Sequence, residues 1–325
     1  MAEPIRVEVR RNGVVEAVHV VHAVAVRDGR IVESAGDPQL TCFMRSSSKP
    51  LQALPLVRAR DDLTDADVAI ACASHRDTAE QVEAARALLA KAEATEDDLE
   101  LGLQEGRPPE KIHHNCAGKH AGMLALCRAR GWDTAGYRLP DHPVQQASRD
   151  AHAEAAEVDG FATGTDGCGV VTFALPLERM AHAYARLEDL PGGGRIAAAM
   201  RARPELVGGP DGSHFLLMRS APGWIAKGGA EGLLCAAGPG GVGIALKAAD
   251  GASRGLGPAL AAFLSRLGIE LPELETQPVA NSRGERVGEI VPARRGKEGV
   301  GPEPRLEDER SGAAARAAPR DRPFG

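Results

Sequence analysis

Three apolar runs late in the chain, Trp224-Ile225-Ala226-Lys227, Leu233-Leu234-Cys235-Ala236 and Val242-Gly243-Ile244-Ala245-Leu246, are separated only by short glycine turns. Parallel neighbours need a long crossover and these connections have none, so the runs predict an antiparallel meander. Residues 5–43 are also β in pattern, with Val/His alternation and two dipeptides, Asn12-Gly13 and Asp28-Gly29, suited to type I′ hairpin turns. Between these blocks the pattern is mainly helical. Asp77 or Thr78 caps a helix whose stripe is Val82, Ala85, Leu88 and Leu89 and which runs to about Ala94. A second helix spans Ala117–Arg130 and is closed by Gly131, and a third opens at His142-Pro143 and runs to about Glu157. Further helices are expected at about 176–188, 193–202 and 253–268. Two short apolar runs, 68–73 and 170–173, read as buried strands. Strands, then helices, then strands and a helix predict an α+β fold with a mainly antiparallel sheet and flanking helices.

Composition narrows the function. With 325 residues and 43% hydrophobic side chains the chain can bury a substantial core. Its 39 basic and 45 acidic residues are interspersed and sum to a formal charge of −6, so no basic face for a phosphate backbone stands out. Aromatic residues make up 3%, too few for the stacking platforms of single-strand binders. Nucleic acid is therefore not an expected partner. No basic segment followed by an apolar run opens the chain and no apolar run approaches a membrane span, so a cytoplasmic protein without a membrane partner is expected. Six cysteines include no Cys-x-x-Cys pair, which argues against a disulfide framework. Residues 296–325 are rich in charge and proline, so a catalytic domain over 1–295 and a disordered tail over 296–325 are expected.

Arg45-Ser46-Ser47-Ser48-Lys49-Pro50 carries the first chemical signal. Pro50 is tolerated in the first turn of a helix, and three residues are close to one turn, so Ser46 and Lys49 can share a face. A lysine at a helix N-terminus is biased toward its neutral form, which can accept a proton from a hydroxyl. The competing reading is a serine N-cap beside a solvated lysine. Lys227-Gly228-Gly229 ends an apolar strand, and its glycines let a ligand or another backbone approach; the plainer reading is a hairpin turn. Two more polar loops stand out, Ser74-His75 and the stretch from His113 to His120. Together with the loop Thr165-Asp166-Gly167-Cys168-Gly169, the second could gather Cys116, Lys119 and Cys168 around a metal. Spacing alone favours a Cys/His zinc site drawing on His113, His114 or His120, or simply buried thiols.

Taken together, Arg45–Pro50, Asn115-Cys116-Ala117-Gly118-Lys119-His120-Ala121-Gly122-Met123, Pro140-Asp141-His142-Pro143-Val144-Gln145, Asp166-Gly167-Cys168-Gly169 and Ala226-Lys227-Gly228-Gly229-Ala230-Glu231-Gly232 resemble the asparaginase II family of inducible rhizobial type. The resemblance runs from about residue 5 to 293. It implies a fold similar to glutaminases and serine β-lactamases, a homodimer, and hydrolysis of L-asparagine to L-aspartate and ammonia. By matched position it implies Ser46 as the acylated nucleophile, Lys49 as its base, Ser74 in a proton relay, and Lys227 as the lysine on the sheet side. It further implies Zn2+ on Cys116, Lys119 and Cys168. Arg45, His75, His120 and Asp166 are the candidate substrate-binding residues, with Asp166 and Arg45 suited to the α-amino and α-carboxylate groups. Arg76-Asp77-Thr78, Ala117 and Leu233-Leu234 depart from the family pattern, which bears on substrate preference. Other readings are a glutaminase or β-lactam-related serine acylase, a metal hydrolase, and a zinc-binding sensor without turnover.

Overall fold

A computed structural model of the chain describes residues 2–210 and 212–293. The expected disordered tail at 296–325 lies outside the described residues. The first strands are β1 (Ile5–Arg11), β2 (Val14–Arg27), β3 (Arg30–Ala35) and β4 (Thr41–Phe43). Asn12 and Gly13 have φ of 48° and 83°, and Asp28 and Gly29 of 51° and 71°, so both hairpins turn through the left-handed region as their sequences require. A 3-10 turn, Arg45–Ser48, then feeds α1 (Lys49–Ala59).

The helical middle comprises α2 (Asp65–Ala71), α3 (Ala79–Lys91), α4 (Ala117–Arg130) and α5 (Pro143–Ala156). It is followed by β5 (Thr163–Thr165), β6 (Val171–Pro176), α6 (Leu177–Ala185), α7 (Gly193–Ala202), α8 (Pro204–Val207) and α9 (Ser213–Ser220). The meander is β7 (Ile225–Gly229), β8 (Leu233–Gly238) and β9 (Val242–Ala248), after which come α10 (Leu256–Arg266), β10 (Gln277–Ala280) and β11 (Arg286–Pro292).

Eight strands form the main sheet in the order β10-β11-β1-β2-β9-β8-β7, with β3 also on β2, and every pairing is antiparallel. The long β2 makes this possible: Val14 to Val21 pairs with β1, Ala23 to Arg27 with β3, and Val21 to Val26 with β9. A second sheet, β4-β6-β5, carries the segment that enters the Ser-rich turn. The expected architecture, an antiparallel sheet flanked by helices, is what the chain adopts.

One expectation needs correction. The run 68–73 is not a strand but the end of α2: Thr64 accepts from the Asp67 N–H while Asp67 accepts from the Thr64 N–H, and this capping box starts a helix that the apolar run continues. Continuous burial on all sides hid its period. Beyond the expected elements, the segment after 203 forms α8 and α9, and the final stretch adds β11 beside β1 and β10 beside β11.

Glycines set the distances that matter to the site. A Cβ on Gly118 would meet the Ile70 carbonyl oxygen at 2.2 Å, so α4 and α2 touch backbone to backbone. A Cβ on Gly229 would meet the Met44 oxygen at 2.8 Å and the Ser47 nitrogen at 3.3 Å. Edge strand β7 thus lies directly against the Ser-rich turn.

Candidate active site

The three serines of the 3-10 turn are not equivalent. Ser47 Oγ donates to the Met44 carbonyl at 2.7 Å, and Ser48 Oγ donates to the Arg45 carbonyl at 2.8 Å. Both hydroxyls are committed to local backbone. Ser46 has no such partner among the described residues, and it lines a cavity of about 410 Å3. The turn is held in an unusual conformation: Arg45, just before Ser46, has φ +49°, sparsely used by residues with a side chain. An ion pair from Arg45 Nε to Asp166 Oδ1 at 2.6 Å and the Tyr184 hydroxyl donating to the Ser47 carbonyl at 2.6 Å oppose that strain.

Ser74 follows α2 and is pinned by its own N–H to the Val207 carbonyl at 3.0 Å, while the N–H of His75 donates to the Asn115 carbonyl at 3.2 Å. Its hydroxyl lies 3.0 Å from Lys49 Nζ and 2.9 Å from Lys227 Nζ. Two amines therefore bracket one hydroxyl at the cavity wall. Lys49 Nζ also donates to the Ala73 carbonyl at 2.5 Å, and Lys227 Nζ to the Gly228 carbonyl at 2.8 Å. Among the described residues, neither lysine has a carboxylate partner. Burial is the main cause that lowers both pKa values, and each ammonium also repels a neighbouring lysine charge, Lys119 for Lys49 and Lys49 for Lys227. An amine so held is a base.

A second buried cluster adjoins Lys49. Lys119 Nζ sits 2.9 Å from Cys168 Sγ and 3.9 Å from Asp166 Oδ2. Cys116 Sγ meets Asn115 Oδ1 at 3.0 Å. Cys168, together with the positive charges of Lys49 and Lys119, lowers the pKa of the Cys116 thiol well below its usual value, against the opposing effect of burial. Burial opposes the charge on Lys119, but the sulfur atoms and Asp166 outweigh it and raise its pKa. For Asp166, burial raises the pKa, and Lys119 and Arg45 together bring it below the ordinary value. Two thiols and one amine form a soft donor set of the kind zinc accepts. Among the described residues, no three His, Cys, Asp or Glu side chains group to hold a metal.

The structure brings Ser46, Ser74, His75 and Lys227 to one cavity, with Lys49 behind Ser74. The other predicted positions fall elsewhere. His120 is fully buried, its Nδ1 2.7 Å from the Tyr137 hydroxyl, and it is not part of the cavity wall. Arg45 and Asp166 pair with each other behind the Ser-rich turn and do not line the cavity either. Sequence reasoning missed Gln104, Arg107, His214 and Gln277, all of which do. Arg107 lies in a loop with no motif, and His214 starts a helix that had not been foreseen. The glycines around His214 were the one available signal: a Cβ on Gly208 would meet its ring at 1.9 Å, and one on Gly212 at 2.6 Å.

Fold and site together define a chain built around buried lysines and a serine hydroxyl at the edge of an antiparallel sheet. Residues 7–292 match the family model of L-asparaginase II, and the chain belongs to that family. No curated protein sequence matches it significantly. Among solved structures it is similar to the crystal structure of Mglu in its native form in the presence of 4.3 M NaCl, at 16% identity and a TM-score of 0.36 over 78% of this chain. A second Mglu crystal structure matches at 15% identity, with a TM-score of 0.35 over 78% of this chain and 68% of that one. The chain spans 62% of the length of the first. Among the described residues, no helix is long and apolar enough to cross a membrane.

Proposed function

We propose that this protein is an L-asparagine amidohydrolase that works through an acyl-serine intermediate. Membership in a hydrolase family supports amide hydrolysis, and the observation that carries the mechanism is the pair of buried, carboxylate-free lysines bracketing Ser74 Oγ beside Ser46. Ser46 Oγ attacks the side-chain amide carbon, Lys49 takes its proton, and the proton reaches the departing ammonia through Ser74 and Lys227. Water then attacks the β-aspartyl ester and L-aspartate leaves. Backbone N–H groups of the Ser46 turn and of β7 receive the developing oxyanion. The experiment is ammonia release from L-asparagine by wild type and Ser46→Ala. The reading requires a loss of roughly 10³-fold or more, and comparable rates would refute it.

A second reading exchanges the serines. Ser74 is the hydroxyl in direct contact with both amines, so it is the alternative nucleophile, with Ser46 as a substrate donor. Ser74→Ala then abolishes the ester, whereas Ser46→Ala slows its formation.

Cys116, Lys119 and Cys168 would hold a zinc ion once Lys119 loses its proton. Such an ion supplies a fixed positive charge beside the site. Without it, Lys119 still meets Cys168 and Asp166, and Asp166 in turn holds Arg45 at the Ser46 turn. A homodimer, on the strength of the resemblance, and a cytoplasmic setting, on the strength of the sequence pattern, complete the proposal.

A further inference from the structure

Arg45 is the residue that the sequence suggests for the α-carboxylate of asparagine, and the structure spends it elsewhere. Its Nε meets Asp166 Oδ1 at 2.6 Å and its Nη1 lies 3.9 Å from Glu231 Oε1, so two carboxylates of the protein already share it. A carboxylate brought into the cavity still needs a donor, because a charge taken out of water without a partner is costly.

Arg76 stands two positions beyond Ser74, in the Arg76-Asp77-Thr78 stretch that departs from the family pattern. Its backbone is pinned: the Arg76 N–H donates to Gln81 Oε1 at 2.6 Å, and Gln81 Nε2 donates to the Glu205 carbonyl at 2.8 Å and the Gly208 carbonyl at 3.2 Å. Its side chain runs along Gly209, where an added Cβ would meet Arg76 Cγ at 2.4 Å and Nε at 3.2 Å.

The next glycine links this side chain to the catalytic corner. A Cβ on Gly208 would meet His214 Nε2 at 1.9 Å, and one on Gly228 would meet Nδ1 of the same ring at 3.3 Å. Gly228 follows Lys227 in β7. Arg76, His214, Gly228 and Lys227 therefore succeed one another along a cavity wall that also carries Ser46 and Ser74. The charges agree with this placement. Burial is the main cause that lowers the pKa of His214 and of Lys227, and the Arg76 guanidinium pushes both further down. Its charge is thus felt at the amine that touches Ser74.

We infer that Arg76 is a specificity-determining residue whose guanidinium holds the α-carboxylate of L-asparagine, so that the side-chain amide is presented to Ser46. The planar fork of an arginine suits a carboxylate, and hydrogen bonds to an ionised acceptor are the strong ones. Arg45 then keeps the Ser46 turn in shape and does not bind substrate. The inference rests on the amidohydrolase reading and adds to it how the substrate is oriented.

Two ligands that differ only at the group in question test it on Ser46→Ala protein: L-asparagine, and L-asparaginamide, in which a neutral amide replaces the α-carboxylate. Titration calorimetry is expected to show L-asparagine losing at least about tenfold in affinity when Arg76→Ala is added, as one charge-assisted hydrogen bond would give, while L-asparaginamide is unaffected. Arg76→Lys, which keeps the charge and loses the fork, is expected to fall between. The side chain is exposed, so melting temperatures are expected to match that of Ser46→Ala. Unchanged affinity for L-asparagine in both Arg76 variants, or an equal loss of both ligands, overturns the inference. Arg45→Lys supplies the contrast: it is expected to affect both ligands alike, and a loss confined to L-asparagine would return the carboxylate to Arg45. Ammonia release judges the parent reading separately. If Ser46→Ala releases ammonia as wild type does, the serine mechanism fails, and the same two-ligand comparison is read from kcat/KM of wild type and Arg76→Ala.

Discussion

Lys49, Lys227 and Lys119 are buried to nearly the same degree, at 0%, 1% and 3% exposure, yet their proton affinities diverge. Burial pushes all three toward the neutral amine. Lys49 and Lys227 meet a hydroxyl and carbonyl oxygens, which cannot repay the cost of a buried charge, so their pKa values fall. Lys119 meets the Cys168 sulfur and Asp166 and feels the charge of Cys116, so its pKa rises. Neighbours, not burial, decide which lysine is a base and which is a fixed cation. One short stretch of structure therefore separates two lysines biased toward the neutral amine from one biased toward the ammonium.

The largest effect should come from removing the base side of this contrast. Lys227→Met keeps the length and burial of the side chain, and ammonia release should fall by roughly 10²–10⁴-fold, the usual contribution of a positioned acid–base group. The same replacement at Lys119 should act differently, weakening metal affinity by about 10–100-fold or more in equilibrium dialysis. Equal effects of both substitutions on turnover would erase the distinction.

A geometric perturbation comes next. Gly229→Ala drives a Cβ to 2.8 Å from the Met44 oxygen, which must move the Ser46 turn off β7. Displacement by an ångström costs roughly 10²-fold in turnover. The expected signature is lower kcat with KM nearly constant in steady-state kinetics.

The pH dependence should be smaller and one-sided. Under the proposed mechanism Lys227 acts as a neutral amine, so kcat/KM should rise with pH through its depressed pKa and then level off. A profile that falls over the same range would contradict a basic amine. Stability shifts in the same sense for a separate reason: burial lowers the His152 pKa to about 4 and that of His214 to about 3, below the unfolded value of 6.5. Between those values the unfolded chain binds more protons, so stability is lost as pH falls from 6.5, by up to about 1.4 kcal/mol per unit for each histidine. Denaturant midpoints at pH 7 and pH 5 check this.

Much of this arrangement was legible before any coordinates. The hairpins at Asn12-Gly13 and Asp28-Gly29, the helix closed by Gly131 and the meander with Lys227 follow from local chemistry, and local chemistry is what a sequence displays. The run 68–73 misled because a helix buried on all sides shows neither period. Arg107 and His214 were invisible for a different reason: they reach the cavity through tertiary placement of a loop and of α9, with no spacing that marks them. The choice among Ser46, Ser47 and Ser48 also needed structure, since only the hydrogen bonds of the latter two leave the first free.

Peptide mapping of protein acid-quenched during L-asparagine turnover tests the central claim most directly. The account predicts a β-aspartyl ester on Ser46, absent in Ser46→Ala and retained longer when Lys227 is replaced by Met. Turnover with no ester on any serine, or an ester on Ser74 in a Ser46→Ala protein of full activity, would contradict it.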